Sequence, residues 1–264
     1  MTAIIGVSLP LASALASTAW ALPAGRRGKY RAKFLKAWSR AVCALMGVEV
    51  EVVGEPPAAG AWLAVSNHLG YADIPVLGSV LPGTFVSKAE VGRWPAIGLL
   101  SRLAGTVFVD RGNRGASQEF VRKVNRRISA GETVLVFPEG TSTRGEGILP
   151  FKTAPFAAVA GLPGGSVLPV HIDVVEIGGE PAVGPIRDAV CWHGDAAFAP
   201  HAFRLLGLRG IRYRVVVGKP IPCGELDRKR LAILARENVG DLRKISARHP
   251  LPLPGGFFWV HPIP

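Results

Sequence analysis

The chain is poor in cysteine, with only Cys43, Cys191 and Cys223 in 264 residues and no CxxC spacing among them. An odd, scattered set argues against a secreted disulfide framework and against a cysteine-based zinc site, and it points to a reducing compartment. No GxSxG occurs, so the strained serine elbow of the α/β-hydrolases is missing as well. Acidic residues are absent from positions 1 to 48, where all seven basic residues fall between Arg26 and Arg40. Over the whole chain Lys and Arg outnumber Asp and Glu by 31 to 19, a formal charge of +12. Such an excess selects a polyanionic partner: nucleic acid, an anionic membrane surface or a phosphate-bearing substrate.

Ahead of the basic block runs TAIIGVSLPLASALASTAWALPAG, about the length that crosses a bilayer core. Three readings compete for it. Ala19-Trp20-Ala21 has the form of a signal-peptide cleavage site, but the basic n-region is missing. A spanning anchor is weakened by Pro10 and the many Ala and Ser residues, and a helix embedded in one leaflet is the third reading. In both membrane readings the basic block lies on the cytoplasmic side. On a helical wheel Tyr30, Phe34, Leu35, Trp38, Ala41, Val42, Leu45 and Met46 share one face. Lys29, Lys33, Lys36 and Arg40 gather opposite, as in an interfacial helix that meets anionic headgroups. The alternative is a helix packed on the domain with a solvated basic face. Nucleic acid is disfavoured, because the stripe lacks a recognition motif and abuts an apolar segment.

Beyond Gly47 short β-type runs alternate with helical segments. The stretches 48–53, 62–66, 84–87, 105–110, 133–138, 166–175 and 211–218 are predicted strands, rich in β-branched residues. Helices are predicted at 74–80, 88–103 with a break near Pro95, 116–130, 151–161 and 225–247. The tail HPLPLPGGFFWVHPIP is too proline-rich for regular structure to be expected. The fold class is therefore α/β: a single domain, 47–264, with a largely parallel central sheet flanked by helices, preceded by membrane-anchoring helices over 1–46. Nothing in the sequence specifies an oligomeric state.

In such a sheet ligands collect where strands end and helices begin, and four polar insertions fall there. Asn67-His68 with Asp73 follows the strand at 62–66, and Lys88-Ala89-Glu90 follows the strand at 84–87. Asp110-Arg111, with Arg114, follows a third strand. PEGTSTRG, with Glu139, Thr141 and Arg144, follows a fourth. Each has an ordinary explanation: Asp73, for example, is also a candidate N-cap of the helix at 74–80. Together they suit acyl transfer to an alcohol. A hydroxyl that attacks a thioester must lose its proton, and a neutral imidazole is the base best tuned for that near pH 7. A carboxylate on the other ring nitrogen fixes the tautomer and stabilises the imidazolium. Without a serine elbow, the nucleophile is the substrate's own hydroxyl. Residues five apart do not share a helix face, so the pair requires His68 in a turn that folds back over the helix start. A metal-dependent hydrolase would need further ligands, for which only His171 and Asp173 offer themselves. A basic membrane-binding module without chemistry is the remaining alternative.

NHLGYAD (67–73) resembles the NHxxxxD motif of the glycerolipid acyltransferases, the 1-acylglycerol-3-phosphate acyltransferase family. VSKAEVGRWPAIG (86–98), GTVFVDR (105–111), VFPEGT (136–141), FKTAPFAAVAG (151–161) and VLPVHI (167–172) are similar, in order, to further segments of that family over about residues 62–172. The resemblance implies His68 as general base and Asp73 as its orienting partner. It implies that Arg111, Glu139 and Gly140 help bind the glycerol-phosphate part of the acceptor, with Pro169 near the acyl-donor side. Asn67, Lys88, Arg114, Thr141, Arg144 and Lys152, on or next to the same segments, are further substrate-binding candidates. It further implies acyl-CoA or acyl-carrier protein as donor, no metal or cofactor, an N-terminal two-helix membrane device over residues 3–46, and a place on the cytoplasmic face of the inner membrane. The implied acceptor is 1-acyl-sn-glycerol-3-phosphate, giving phosphatidic acid. In the third segment, however, the family places arginine directly after EGT, whereas this chain reads EGTSTRG with the nearest cation at Arg144. Either Arg144 on a shifted loop, Arg114 or Lys152 replaces that arginine, or the acceptor is lyso-ornithine lipid or another lysophospholipid.

Overall fold

The computed structural model describes residues 24–56, 61–95, 97–110, 114–249 and 258–261. The apolar segment up to residue 23 and Arg111 lie outside the described residues. The first described element is helix α1, Ala24–Met46, followed by strands β1 (Val48–Val53) and β2 (Trp62–Ser66) and helix α2 (Asp73–Val80). Strand β3 (Thr84–Lys88), a 3-10 turn (Ala89–Arg93) and helix α3 (Ile97–Leu103) come next, then β4 (Val107–Val109), α4 (Arg114–Ser129) and β5 (Val134–Val136). After a 3-10 turn at Pro155–Ala158 come the long β6 (Ser166–Ile177), β7 (Glu180–Pro181) and a 3-10 turn at Gly184–Ala189. Helix α5 (Phe198–Gly207), β8 (Ile211–Val217), β9 (Ile221–Pro222), α6 (Arg228–Arg248) and β10 (Phe258–His261) complete the order.

The strands form one sheet in the order β10-β1-β8-β6-β2-β5-β3-β4, with β7 and β9 also paired to β6. From β6 through β2, β5 and β3 to β4 every pairing is parallel. Strand β8 joins β6 antiparallel, and β1 and β10 continue parallel to β8. The expected, largely parallel α/β sheet is therefore present. Side-chain alternation along the strands divides the core into two layers. Ala64, Leu168, Val170 and Ile172 face Leu35, Val42, Val76 and Leu77 of α1 and α2. Leu63, Val65 and Val167 face Phe120 and Val124 of α4 and Leu231, Ala235 and Val239 of α6. Helix α6 opens on Asp227, whose carboxylate accepts the amides of Lys229 and Arg230 at 2.7 and 2.8 Å, a side-chain cap of the usual kind.

Three sequence expectations need correction. The segment 151–161 forms only the 3-10 turn at 155–158, because Gly161 and Pro163 follow too soon for a longer helix. The tail does contain regular structure: Phe258–His261, a proline-free stretch between proline-rich flanks, pairs with β1 in parallel, Val50 opposite Phe258. Helix α5 was not anticipated; Pro200 in its first turn hides it, although proline is tolerated there.

Helix α1 bears on the membrane question. Leu35, Val42, Cys43 and Met46, on or beside the face expected to meet lipid, are buried in the core. Its crossing with α2 is close: a Cβ on Gly78 would collide with the hydroxyl of Ser39. Lys29, Lys33 and Arg40 remain exposed on the other side. No helix of the described residues is long and apolar enough to cross a membrane.

Candidate active site

The parallel register sets Val65 of β2 beside Val136 of β5 and Pro169 of β6. The turn that leaves β2 and the loop that leaves β5 are therefore neighbours, at the carboxyl edge of the sheet where α/β folds place their sites. Strand β6 runs on past the end of β2, and the carboxamide of Asn67 takes over the pairing. Its Nδ2 donates to Ile172 O at 2.9 Å and its Oδ1 accepts Ile172 N at 2.9 Å. Asn67 is fully buried; it anchors the turn to β6 and offers no face to substrate.

His68 then folds back over the start of α2, as the five-residue spacing required. Its Nδ1 lies 2.7 Å from Asp73 Oδ2, and the same oxygen accepts the amides of Leu69 at 2.7 Å and Gly70 at 3.1 Å. The ionised carboxylate only accepts, so Nδ1 carries the proton and Nε2 is left with its lone pair. Asp73 is not a helix cap, because its carboxylate points backwards to residues 68–70 and the residue before it, Ala72, makes no side-chain cap. The imidazole stacks on Phe137 with centroids 4.0 Å apart and planes at 12°, and its side chain is 22% exposed while that of Asp73 is wholly buried. A fixed, partly open imidazole against a buried carboxylate is the arrangement of a general base.

The loop after β5 holds this turn from the other side. Glu139 Oε2 accepts His68 N at 3.0 Å and Oε1 accepts Leu149 N at 2.8 Å. Burial pushes the Glu139 carboxyl up, against the pull of those two amides. Thr143 N donates to His68 O at 2.8 Å. Gly140 turns the loop at φ 79°, a region that favours glycine, and its amide returns to Phe137 O.

Among the described residues, the remaining candidates form no hydrogen bond to the His68–Asp73 pair. Lys88, Thr141 and Lys152 are exposed; Arg114 starts α4. Arg144 is engaged: its Nε and Nη2 reach the two oxygens of Asp188 at 2.6 and 2.8 Å, and Nη1 lies 3.3 Å from Glu146. Pro169 is buried within the sheet against Gly218 and Leu242. His171 alternates to the α6 side of β6, away from α2, and Asp173 is bonded to Arg187 and Ser246. Among the described residues no three His, Cys, Asp or Glu side chains converge on a metal position. All three cysteines are buried, which pushes the thiols up to about 12 for Cys43 and Cys191 and about 11 for Cys223, so none supplies a thiolate. Sequence reasoning overlooked Phe137, Thr143 and Asp188; Phe137 stood next to PEGT but read as an ordinary strand residue.

A family profile described as Acyltransferase matches residues 48–173. A lyso-ornithine lipid O-acyltransferase of Brucella abortus is 36% identical over 200 residues, covering 73% of this chain and 75% of its own. The chain belongs to the acyltransferase family. A 1-acyl-sn-glycerol-3-phosphate acyltransferase of Neisseria meningitidis is a further relative, 29% identical over 177 residues and covering 67% of both chains. The crystal structure of the 1-acyl-sn-glycerophosphate acyltransferase PlsC from Thermotoga maritima shares the fold of this acyltransferase, with a TM-score of 0.65 over 90% of both chains at 20% identity. The family assignment makes the protein an enzyme, and the carboxyl edge that carries His68 and Asp73 lies inside the matched region.

Proposed function

We propose that this acyltransferase esterifies the free hydroxyl of a lysolipid with the acyl group of an acyl thioester, and that His68 is the general base. The contact that carries the reading is the one between His68 Nδ1 and Asp73 Oδ2 at 2.7 Å, which leaves Nε2 as the proton acceptor. Nε2 takes the proton of the acceptor hydroxyl as its oxygen attacks the thioester carbonyl. Asp73 stabilises the resulting imidazolium, which returns the proton to the thiolate as the carbon–sulfur bond breaks. No acyl-enzyme is needed: the hydroxyl of Ser66 points to Asn67 rather than to His68. The donor is acyl-CoA or acyl-carrier protein, and both are anionic, which suits the charge of +12.

For the acceptor, two observations favour lyso-ornithine lipid over 1-acyl-sn-glycerol-3-phosphate. The relative named for the former is the more similar, at 36% against 29% identity. Arg144, the nearest cation to the EGT segment, is already held by Asp188, and a phosphate monoester would have to displace that carboxylate. The exposed cations of α1 fit an anionic bilayer surface, with catalysis on its cytoplasmic face.

Thiol release from acyl-CoA by the detergent-purified protein, with lyso-ornithine lipid and with lysophosphatidate, tests both parts. Turnover should fall at least ~100-fold in His68→Ala. Retained turnover in that variant would discard the base, and turnover with lysophosphatidate alone would reverse the choice of acceptor.

A further inference from the structure

A second cleft, largely apolar but with charged side chains in its walls, opens beside the catalytic turn, and the mechanism above does not use it. The 3-10 turn at 184–189, the loop that follows and α5 enclose a cleft of about 340 Å³ lined by Asp188, Cys191, His193, Pro200, His201 and Arg204. Its walls carry both signs of charge. The Asp188 side chain is 40% exposed. Its Oδ1 accepts from Arg144 Nε and from His193 Nε2, the latter at 2.8 Å, and its Oδ2 accepts only Arg144 Nη2. A carboxylate offers about four acceptor positions, so Oδ2 has room for one more donor. Arg204, exposed on α5, has no carboxylate partner among the described residues. His201 adds no charge. Its Nε2 faces Asp188 O at 3.2 Å, and a carbonyl only accepts, so Nδ1 receives the Tyr71 hydroxyl at 2.8 Å. Burial holds its pKa below the ordinary value.

The cleft is tied to the catalytic turn at three points. Tyr71, three residues after His68, grips His201. Trp192 N donates to Leu69 O at 2.8 Å. Thr143, whose amide holds His68 O, is followed at once by Arg144. A headgroup seated against Asp188 would therefore adjoin the segment that carries the base.

We propose that this cleft binds the amino-acid headgroup of the acceptor, with Asp188 taking its ammonium and Arg204 its carboxylate. The proposal rests on the lyso-ornithine reading of the acceptor. Ornithine acylated on one nitrogen keeps one ammonium and one carboxylate, a pair of opposite charges that matches the two walls. A phosphate monoester has no cation for Asp188 and meets a carboxylate where it would need a donor. The site would select the acceptor and leave the proton transfer at His68 unchanged.

The test is steady-state kinetics of wild type, Asp188→Asn and Arg204→Ala with lyso-ornithine lipid, with lysophosphatidate as the second acceptor. Each variant should raise the KM for lyso-ornithine lipid about ten-fold, the scale of one charge-assisted contact. An unchanged KM in both variants overturns the proposal, whatever happens to kcat, because a purely structural clamp on the catalytic turn acts through kcat. If Asp188→Asn fails to fold once Arg144 is released, Arg204→Ala, a change on an exposed helix surface, decides by the same criterion. Wild type that is silent with lyso-ornithine lipid but active with lysophosphatidate defeats the acceptor reading itself, and the proposal with it. That outcome is distinct from an unchanged KM in an enzyme that does use the aminolipid.

Discussion

Glu139 accepts the main-chain N–H of His68 at 3.0 Å across 71 residues of sequence. With its other oxygen on Leu149 N, it fastens the loop after β5 to the turn that carries the base. The family resemblance implies a role for Glu139 in acceptor binding, but at 4% exposure both oxygens are committed to backbone amides. Glutamine would keep one acceptor and turn an NH2 group against the other amide. A buried donor left without a partner costs about 1–3 kcal/mol. Glu139→Gln should therefore lower the melting temperature and reduce kcat by roughly ten-fold or more, with little change in the acceptor's KM. A rise in KM at constant kcat would restore the residue to the acceptor site.

Asp73→Asn separates electrostatics from shape. The amide oxygen can still accept from Leu69 and Gly70, so the turn should persist, yet a neutral group cannot stabilise the imidazolium that forms at His68. We expect kcat to fall by about 10²–10⁴ with circular dichroism unchanged. The amide NH2, buried where Oδ1 has no partner among the described residues, lowers stability by about 1–3 kcal/mol. Lost stability with intact specific activity would instead make Asp73 a structural residue.

What could be read from the sequence was contiguous. The strand at 62–66, the turn at 67–72 and the helix from Asp73 lie in one short stretch, so a local pattern was enough to expect His68 folded back on Asp73. Contacts between distant segments were not legible. Asn67 was a substrate-binding candidate, but it pairs with Ile172, 105 positions away, and no local signal marks that. Arg144 was visible as a cation, whereas its engagement by Asp188, 44 residues on, depends on the 3-10 turn after β7. The period of α1 identified much of its apolar face, although Leu45 is exposed and Cys43, outside that face, is buried. It did not identify what covers the face: Leu35 and Val42 pack into the core with Val76 and Leu77 of helix α2.

Because that apolar face is largely committed to the core, attachment through α1 would depend on its cations. Lys29, Lys33 and Arg40 are exposed along one side, and each basic residue near an anionic leaflet contributes about 1 kcal/mol. Replacing all three with glutamine should weaken binding to vesicles containing phosphatidylglycerol by roughly a hundred-fold, and binding should be salt-sensitive in the wild type. Sedimentation with charged and neutral vesicles measures this. Equal binding of wild type and variant to the charged vesicles would place the contact elsewhere.

His171 gives the fold a pH dependence that is separate from catalysis. Its side chain is buried on the α6 side of β6, neither ring nitrogen has a hydrogen-bond partner among the described residues, and burial holds its pKa down at about 4. Asp173 pulls that value up, while Arg243 and Arg187 push it further down. On unfolding, the imidazole regains its ordinary pKa near 6.5 and takes up a proton at any lower pH. Between about 6.5 and 4 the unfolded chain therefore binds more protons than the native one, and stability falls as pH falls. The full span corresponds to roughly 3 kcal/mol. Urea unfolding of wild type and His171→Leu at pH 7 and at pH 4.5 isolates this contribution, because other titrating groups are common to both proteins. The variant should lose less stability between the two pH values, by roughly 2 kcal/mol. Equal losses would mean that His171 is protonated in the folded protein, and the buried imidazole would then need a carboxylate partner in Asp173.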